Sequence, residues 1–360
     1  PGGRARARRH EADLAPGQRG PRAAGAGAAP VRRAAGRPHR PRAGHRGRAG
    51  GAGRDHAAGD RAADQPDVRQ LHPVDDRAAR PAPTRAERRG VAERAVRAAV
   101  AGARRRGYTP EGFKLFTDRI GVSKADSWID YSILEDCMRE VLNESAPRKI
   151  GVLDPIKLVI DNYPEGQSED CFAPNHPLKP ELGKRTVQLT KELWIEREDF
   201  MEEPAKGYFR LFPGNMVRLR YGYVVKCTSC EKDATGKVTT VHCEYLPDTK
   251  SGTPGSDSVK VKGNIHWVSA AHAYQAEIRM YDRLFKEAHP GSGDRNYLDD
   301  INPNSVHTIK AQLELGLKEA KAGESFQFER HGYFVADLKD SQAGKPVFNR
   351  TVTLKDTWQK

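Results

Sequence analysis

The first 106 residues contain no Phe, Trp, Tyr, Ile, Met, Lys, Asn, Ser or Cys, and only Leu14 and Leu71 as large aliphatics other than Val. Without aromatic and branched apolar side chains, such a stretch cannot bury enough surface to offset a chain entropy of about 1–2 kcal/mol per residue. That excludes an independent folded domain, and residues 1–106 are predicted to be a disordered Ala/Arg/Gly/Pro-rich segment. Its charges are also one-sided: 26 basic residues, every one Arg, against 10 acidic ones, a net charge of +16. The other 254 residues carry 35 basic and 38 acidic groups, net −3, so the overall +13 averages two unlike pieces. A basic chain is therefore not, on that ground alone, a nucleic-acid binder.

Three readings of the segment stay open: a basic disordered arm, a targeting peptide, or sequence that is not the protein's natural one. A transit peptide is Arg-rich but also Ser-rich and amphipathic, which this segment is not. Ala, Arg, Gly and Pro have GC-rich codons and the missing Phe, Ile, Lys, Met, Asn and Tyr AT-rich ones, as GC-rich DNA yields when read out of frame. The chain also opens on Pro1 rather than Met.

Other absences narrow the function. No apolar run reaches the roughly 18 residues a membrane helix needs. The five cysteines are an odd number without a signal peptide, which points to free thiols, a reducing compartment and a cytoplasmic location. No glycine-rich phosphate loop follows a strand, and hydrolase signatures are missing. The acidic pairs Asp299-Asp300, Glu202-Glu203 and Glu169-Asp170 read as solvated turns with no partnered base.

What is present begins at Gly107, beyond which lie all 11 Phe, 11 Tyr and 4 Trp. Thr109-Pro110-Glu111 reads as a helix start and Gly121 as its stop. Ile129, Ile133, Leu134, Cys137, Met138, Val141 and Leu142 recur at helical spacing, predicting a second helix over 127–143 and a helical subdomain over 107–147. After Pro147 the pattern changes to short strands: 156–160, 187–189, 193–195, 216–227, 238–245, 264–268, 306–309, 326–328, 332–338 and 347–354. The fold class is mainly β, with two small β-barrels over 148–360.

Cys227-x-x-Cys230 with Cys243 is a partial zinc pattern whose fourth ligand would be His242, on the opposite strand face from Cys243. A hairpin centred on 233–236 instead sets Cys227 opposite Cys243 and explains the thiols without metal. More distinctive is arginine beside aromatics: Tyr208-Phe209-Arg210, Arg218-Leu219-Arg220-Tyr221, Arg148 at the helix-to-strand junction, and Gln327 near Arg330. Alternation sets Arg218 and Arg220 on one strand face. Guanidinium forks and amides can pair with base edges splayed from single-stranded RNA. The competing reading is a solvated surface ion-paired with Glu202 and Glu203.

Longer strings then carry a resemblance: Arg105-Arg106-Gly107-Tyr108-Thr109; Ala146-Pro147-Arg148; Asp154-Pro155-Ile156-Lys157-Leu158-Val159-Ile160; Pro174-Asn175-His176-Pro177; Gly263-Asn264-Ile265-His266-Trp267-Val268-Ser269-Ala270; Glu277-Ile278-Arg279; Tyr281-Asp282-Arg283-Leu284-Phe285; Val347-Phe348-Asn349-Arg350-Thr351-Val352; and Asp356-Thr357-Trp358. From about Arg104 onward the chain resembles the glutaminyl-tRNA synthetases, class I enzymes whose matching region is a helical subdomain and two anticodon-binding barrels.

The resemblance implies glutamine tRNA, tRNA(Gln), as partner, with neither DNA nor membrane. It places Arg148 and Gln327 at the pocket for the central uridine, with Arg330 adjacent. It places Arg210 at the guanine and Arg218 and Arg220 around the first anticodon base. Phe209 and Gly207 stand where the family often has Lys and Gln, and Phe209 offers a stacking surface instead. The family uses ATP and Mg2+ in a Rossmann domain with a His-Ile-Gly-His-like motif and a Met-Ser-Lys loop, neither of which occurs in residues 1–106. No cofactor, metal site or catalytic residue is therefore assigned here, and the chain as written is not expected to adenylate glutamine. Two functions stay open, an anticodon-binding module or a complete synthetase, with a glutamyl-tRNA synthetase as a related alternative. Reading the upstream DNA in all three frames separates the first two.

Overall fold

The structure, a computed structural model, describes residues 85–356 apart from 123, 125 and 126. Residues 1–84 of the segment predicted to be disordered, and Thr357 and Trp358 of the last motif, lie outside the described residues. All described residues fall within one compact unit, Ala79–Lys360.

The first element is not one the sequence suggested. Residues Arg85–Arg105 form helix α1, inside the stretch for which no fold was expected. Ala and Arg are among the best helix formers, so local propensity favours a helix even where little can be buried. Val96 and Val100 are exposed on it. Its last turn is nevertheless tied down: Arg105 Nε donates to Asp337 Oδ2 at 2.8 Å, and the Arg105 carbonyl accepts from Asn349 Nδ2 at 3.0 Å.

Helix α2 (Pro110–Ile120) starts as expected, with Thr109 Oγ1 accepting from Gly112 N, and ends at Gly121, whose φ of +69° suits a residue without Cβ. Helix α3 (Tyr131–Ser145) begins four residues later than its apolar stripe suggested, because Asp130 caps it through the Ser132 N–H. The two pack closely at Gly112, where a Cβ would lie 2.3 Å from Met138 Sδ. Tyr108, Met138 and Leu142 share a core with Tyr333 and Val352 of the β-region, so the helical subdomain is part of the same packed body.

Sixteen strands follow: β1 (Arg148–Lys149), β2 (Gly151–Val152), β3 (Pro155–Ile160), β4 (Glu169–Pro174), β5 (Lys184–Leu189), β6 (Glu192–Glu196), β7 (Met216–Leu219), β8 (Val224–Lys232), β9 (Val238–Leu246), β10 (Gly263–Ile265), β11 (Trp267–Ser269), β12 (Tyr274–Tyr281), β13 (Val306–Leu313), β14 (Ser325–Phe328), β15 (Gly332–Ala336) and β16 (Phe348–Thr353). One seven-stranded sheet runs β10-β7-β8-β9-β3-β6-β11 and the other β1-β14-β15-β16-β12-β13-β2; β4 and β5 form a separate ribbon. In each large sheet the two end strands are consecutive in sequence, β10–β11 around His266 and β1–β2 around Ile150. One kinked segment therefore closes each barrel, and the short stretch entering the first barrel is a stave of the second. Trp267, Leu158, Ile160 and Leu193 fill the first barrel. Phe328 stacks on Phe334 at 4.3 Å, with Phe348 beside them, in the second.

Three further sequence expectations are corrected. The 216–227 strand breaks after Leu219, where Tyr221 takes a positive φ of 66°. Glu169 and Asp170 open β4 rather than a turn, and Glu169 accepts from Tyr223 Oη at 2.6 Å. Asp300 is buried and accepts from Gly291 N and Arg295, so it is not solvated. Cys227 does face Cys243 in the β8–β9 register, and His242 points to Asp161 at 2.9 Å.

Candidate nucleic-acid interface

The parallel pairing of β1 with β14 sets Arg148 directly opposite Gln327. A cavity of about 200 Å3 opens beside them at the seam of the barrels, with Arg148, Gln327, Arg220, Tyr221, Glu329 and Arg330 in its walls. Four of the six residues singled out in the sequence thus meet at one place, drawn from β1, the β7–β8 turn, β14 and the β14–β15 turn.

Each is held differently. Arg148 is buried, and its Nη1 and Nη2 donate to the Asn143 carbonyl, the Ala146 carbonyl and Asn143 Oδ1. It satisfies the carbonyl end of α3, where unpaired acceptors need partners. Burial lowers its pKa, against an opposing pull from Tyr333 and Glu329. Gln327 Nε2 donates to Tyr333 Oη at 3.3 Å, and Tyr333 Oη in turn donates to Asn143 Oδ1. Among the described residues nothing donates to Gln327 Oε1, so the amide keeps an acceptor for an incoming group.

Two buried carboxylates organise the remaining arginines. Glu329 lies 2.5 Å from Arg220 Nε, accepts from Arg185 Nη2 at 3.2 Å, and accepts from Tyr221 Oη at 3.0 and 3.1 Å. Asp199, with no exposed surface, takes both Nη atoms of Arg330 at 2.5 and 2.6 Å and Arg210 Nη1 at 3.0 Å. Glu198 also receives Arg210 and Arg330. The acids that pair with the arginines are therefore Glu198, Asp199 and Glu329. Glu202 instead pairs with Lys232.

Arg218 is the exception. Its guanidinium donates to the Thr249 and Ser256 carbonyls and holds that loop against β7. Because the strand ends at Leu219, Arg218 and Arg220 do not present their forks together, contrary to the alternation argument. Sequence reasoning also missed Asp199, Glu329 and Tyr333, whose roles depend on contacts between distant segments.

Behind Arg330, Glu196, His266 and His331 bring one ligand atom each within 4.8 Å of one another. Arg330 Nη1 donates to His266 Nδ1 at 3.2 Å, which puts the imidazole proton on Nε2 and removes the lone pair a metal would use. Nε2 then faces Glu196 Oε1 at 3.5 Å, and His331 Nε2 donates to the same oxygen at 2.8 Å. Glu196 further accepts from the Leu153 and Asp154 N–H groups. Burial pushes its carboxyl up, but the neighbouring His266 and the bond from His331 outweigh this and hold it well below the usual carboxylate range. A depressed folded-state pKa stabilises above the unfolded value, and that contribution is lost as pH falls through the folded one. The stability lost on Glu196→Gln is therefore expected to be largest near neutrality and to shrink below about pH 4, read as urea midpoints from pH 7 to 3.

Residues 146–246 and 264–337 match two family models, each described as the anticodon-binding domain of tRNA synthetases class I (E and Q). The chain is 66% identical over 257 residues to the glutamine–tRNA ligase of Cupriavidus metallidurans, covering 71% of this chain and 44% of that protein. It is 60% identical to that of Nitrosomonas europaea (71% and 46%) and 62% to that of Bordetella pertussis (71% and 43%). The chain spans less than half the length of these curated relatives. By sequence, then, residues 146–246 and 264–337 are of the kind described as the anticodon-binding domains of tRNA synthetases class I (E and Q).

Proposed function

We propose that this chain binds the anticodon loop of tRNA(Gln), with the central uridine entering the seam cavity, as the RNA-reading end of a glutamine–tRNA ligase. The observation that carries the reading is the convergence of Arg148, Gln327, Arg220 and Arg330 on one cavity. Gln327 offers an acceptor beside a donor, the pair that matches N3–H and a carbonyl of uracil. An amide alone could turn over and accept cytosine. The neighbouring guanidinium groups donate only, and so favour a base with carbonyls on both sides of N3. Arg210, outside the cavity but anchored on the same Asp199, suits the two acceptors of guanine. Backbone phosphates supply the sequence-independent part of binding, which weakens with salt.

The seam carboxylates Glu329 and Asp199 are each occupied by arginine, which leaves neither free to hold a metal ion. Glutamine activation belongs, in this reading, to the longer protein. Binding of the full chain to anticodon stem-loops in matched salt tests the assignment. A loop with the glutamine anticodon should bind about 5- to 100-fold more tightly than one with the central base changed, the range of one base contact. Equal affinity would refute it, and tighter binding of the glutamate loop would favour the glutamyl alternative.

A further inference from the structure

On the first barrel, past Arg210, lies a second cavity of about 360 Å3 with Tyr208, Phe209, Phe212, Met216, Lys260 and Lys262 in its walls. It differs from the seam in charge. No carboxylate lines it, and among the described residues no acid pairs with Lys260 or Lys262.

Phe209 is 53% exposed, yet its backbone is fixed. Gly263 in β10 lies so close that a Cβ there would meet the Phe209 carbonyl at 2.3 Å. On either side, Tyr208 Oη donates to the Glu198 carbonyl and Asn215 Nδ2 donates to the Arg210 carbonyl at 2.7 Å. A large apolar ring is thus held out toward solvent on a pinned segment, which costs solvation free energy unless something covers it. Lys262 Nζ lies 4.9 Å from the ring centroid. An aromatic face flanked by unpaired cations is the combination that holds single-stranded nucleotides, the base on the ring and the phosphates on the lysines.

We propose that Phe209 is a stacking platform for one unpaired base of the anticodon loop, next to the base met by Arg210, with Lys260 and Lys262 receiving its phosphates. The occupant is a nucleotide rather than an apolar peptide because the rim is cationic and carries no acid. The inference rests on the RNA-binding reading above and adds a subsite to it.

The experiment uses the full chain and a stem-loop RNA carrying 2-aminopurine at each loop position in turn. Stacking on Phe209 should quench one position. Phe209→Leu, which keeps apolar bulk at an exposed site, should abolish that quench and weaken binding roughly 10-fold. Phe209→Trp should retain both. With an abasic site at the quenched position, wild type and Phe209→Leu should bind alike. Lys262→Met should lower the salt dependence by about one phosphate contact. Quenching that survives Phe209→Leu, or a loss that persists on the abasic RNA, overturns the proposal. If wild type binds no loop at all, the RNA-binding reading fails; binding without dependence on Phe209 sinks this subsite alone.

Discussion

Asp199→Ala is expected to cost about 3–5 kcal/mol of folding stability, the penalty of removing one partner from a buried ion pair. Asp199 has no exposed surface and holds two guanidinium groups, Arg330 by both Nη atoms and Arg210 by one. Without it, Arg330 keeps its charge at the barrel seam and its backbone at a φ of +73°, with Glu198 and His266 left as hydrogen-bond partners of that guanidinium among the described residues. Asp199→Asn keeps the shape and loses the charge, so its cost should have the same sign and a smaller size. The contrast is Glu202→Ala on the surface pair with Lys232, where both partners are about two-fifths exposed and solvent screening should leave only a small loss. Urea unfolding of the three variants checks the ordering. Equal losses from Asp199→Ala and Glu202→Ala would contradict the account of the seam.

Trp267→Ala is expected to be of similar size, about 3–5 kcal/mol, for a different reason. Trp267 is fully buried in the first barrel and is the largest fully buried side chain there. Its Nε1 also donates to the Arg220 carbonyl at 2.9 Å, one residue before the positive-φ Tyr221. Alanine leaves both a cavity and an unpaired carbonyl. Trp267→Phe refills most of the volume and should recover more than half of the loss. Both variants should also loosen Arg220, so RNA affinity is expected to fall more than it does for a core change without that bond, such as Leu193→Ala. Urea midpoints together with stem-loop affinities measure the two effects.

Much of the second half of the chain was legible because antiparallel strands with one buried face alternate. Strands β3, β9 and β14 fall within a residue or so of expectation. The kinked staves that close the barrels were legible only in part: 264–268 was read as one strand where β10 and β11 meet at His266, and β1 and β2 were not read as strands. β1, β2, β10 and β11 are two or three residues long and owe their pairing to strands far along the chain. β12 alternates well but was read only as a motif. Helix α1 shows a different limit. The burial argument addresses tertiary folding, whereas a local helix needs little more than Ala and Arg and one anchor, Asp337.

At the site, residue types were informative and partners were not. Arg148, Gln327 and Arg330 line one cavity, and Arg220, which the resemblance set around the first anticodon base, lines the same cavity instead; nothing in spacing indicates that Glu329 and Asp199 hold the arginines. Arg218 was grouped with Arg220 by strand alternation, which fails because the strand ends between them and Tyr221 reverses the chain.

The most direct test of the central claim is a thermodynamic cycle on Gln327, since Arg148 also supports α3 and its loss would mix folding with binding. Wild type and Gln327→Ala are titrated with the glutamine anticodon stem-loop and with the central-base variant, in matched salt. The account predicts a loss of about 1–3 kcal/mol on the first RNA and little on the second. Equal losses on both would mean that Gln327 supports the barrel or the backbone, and that the seam cavity does not read a base.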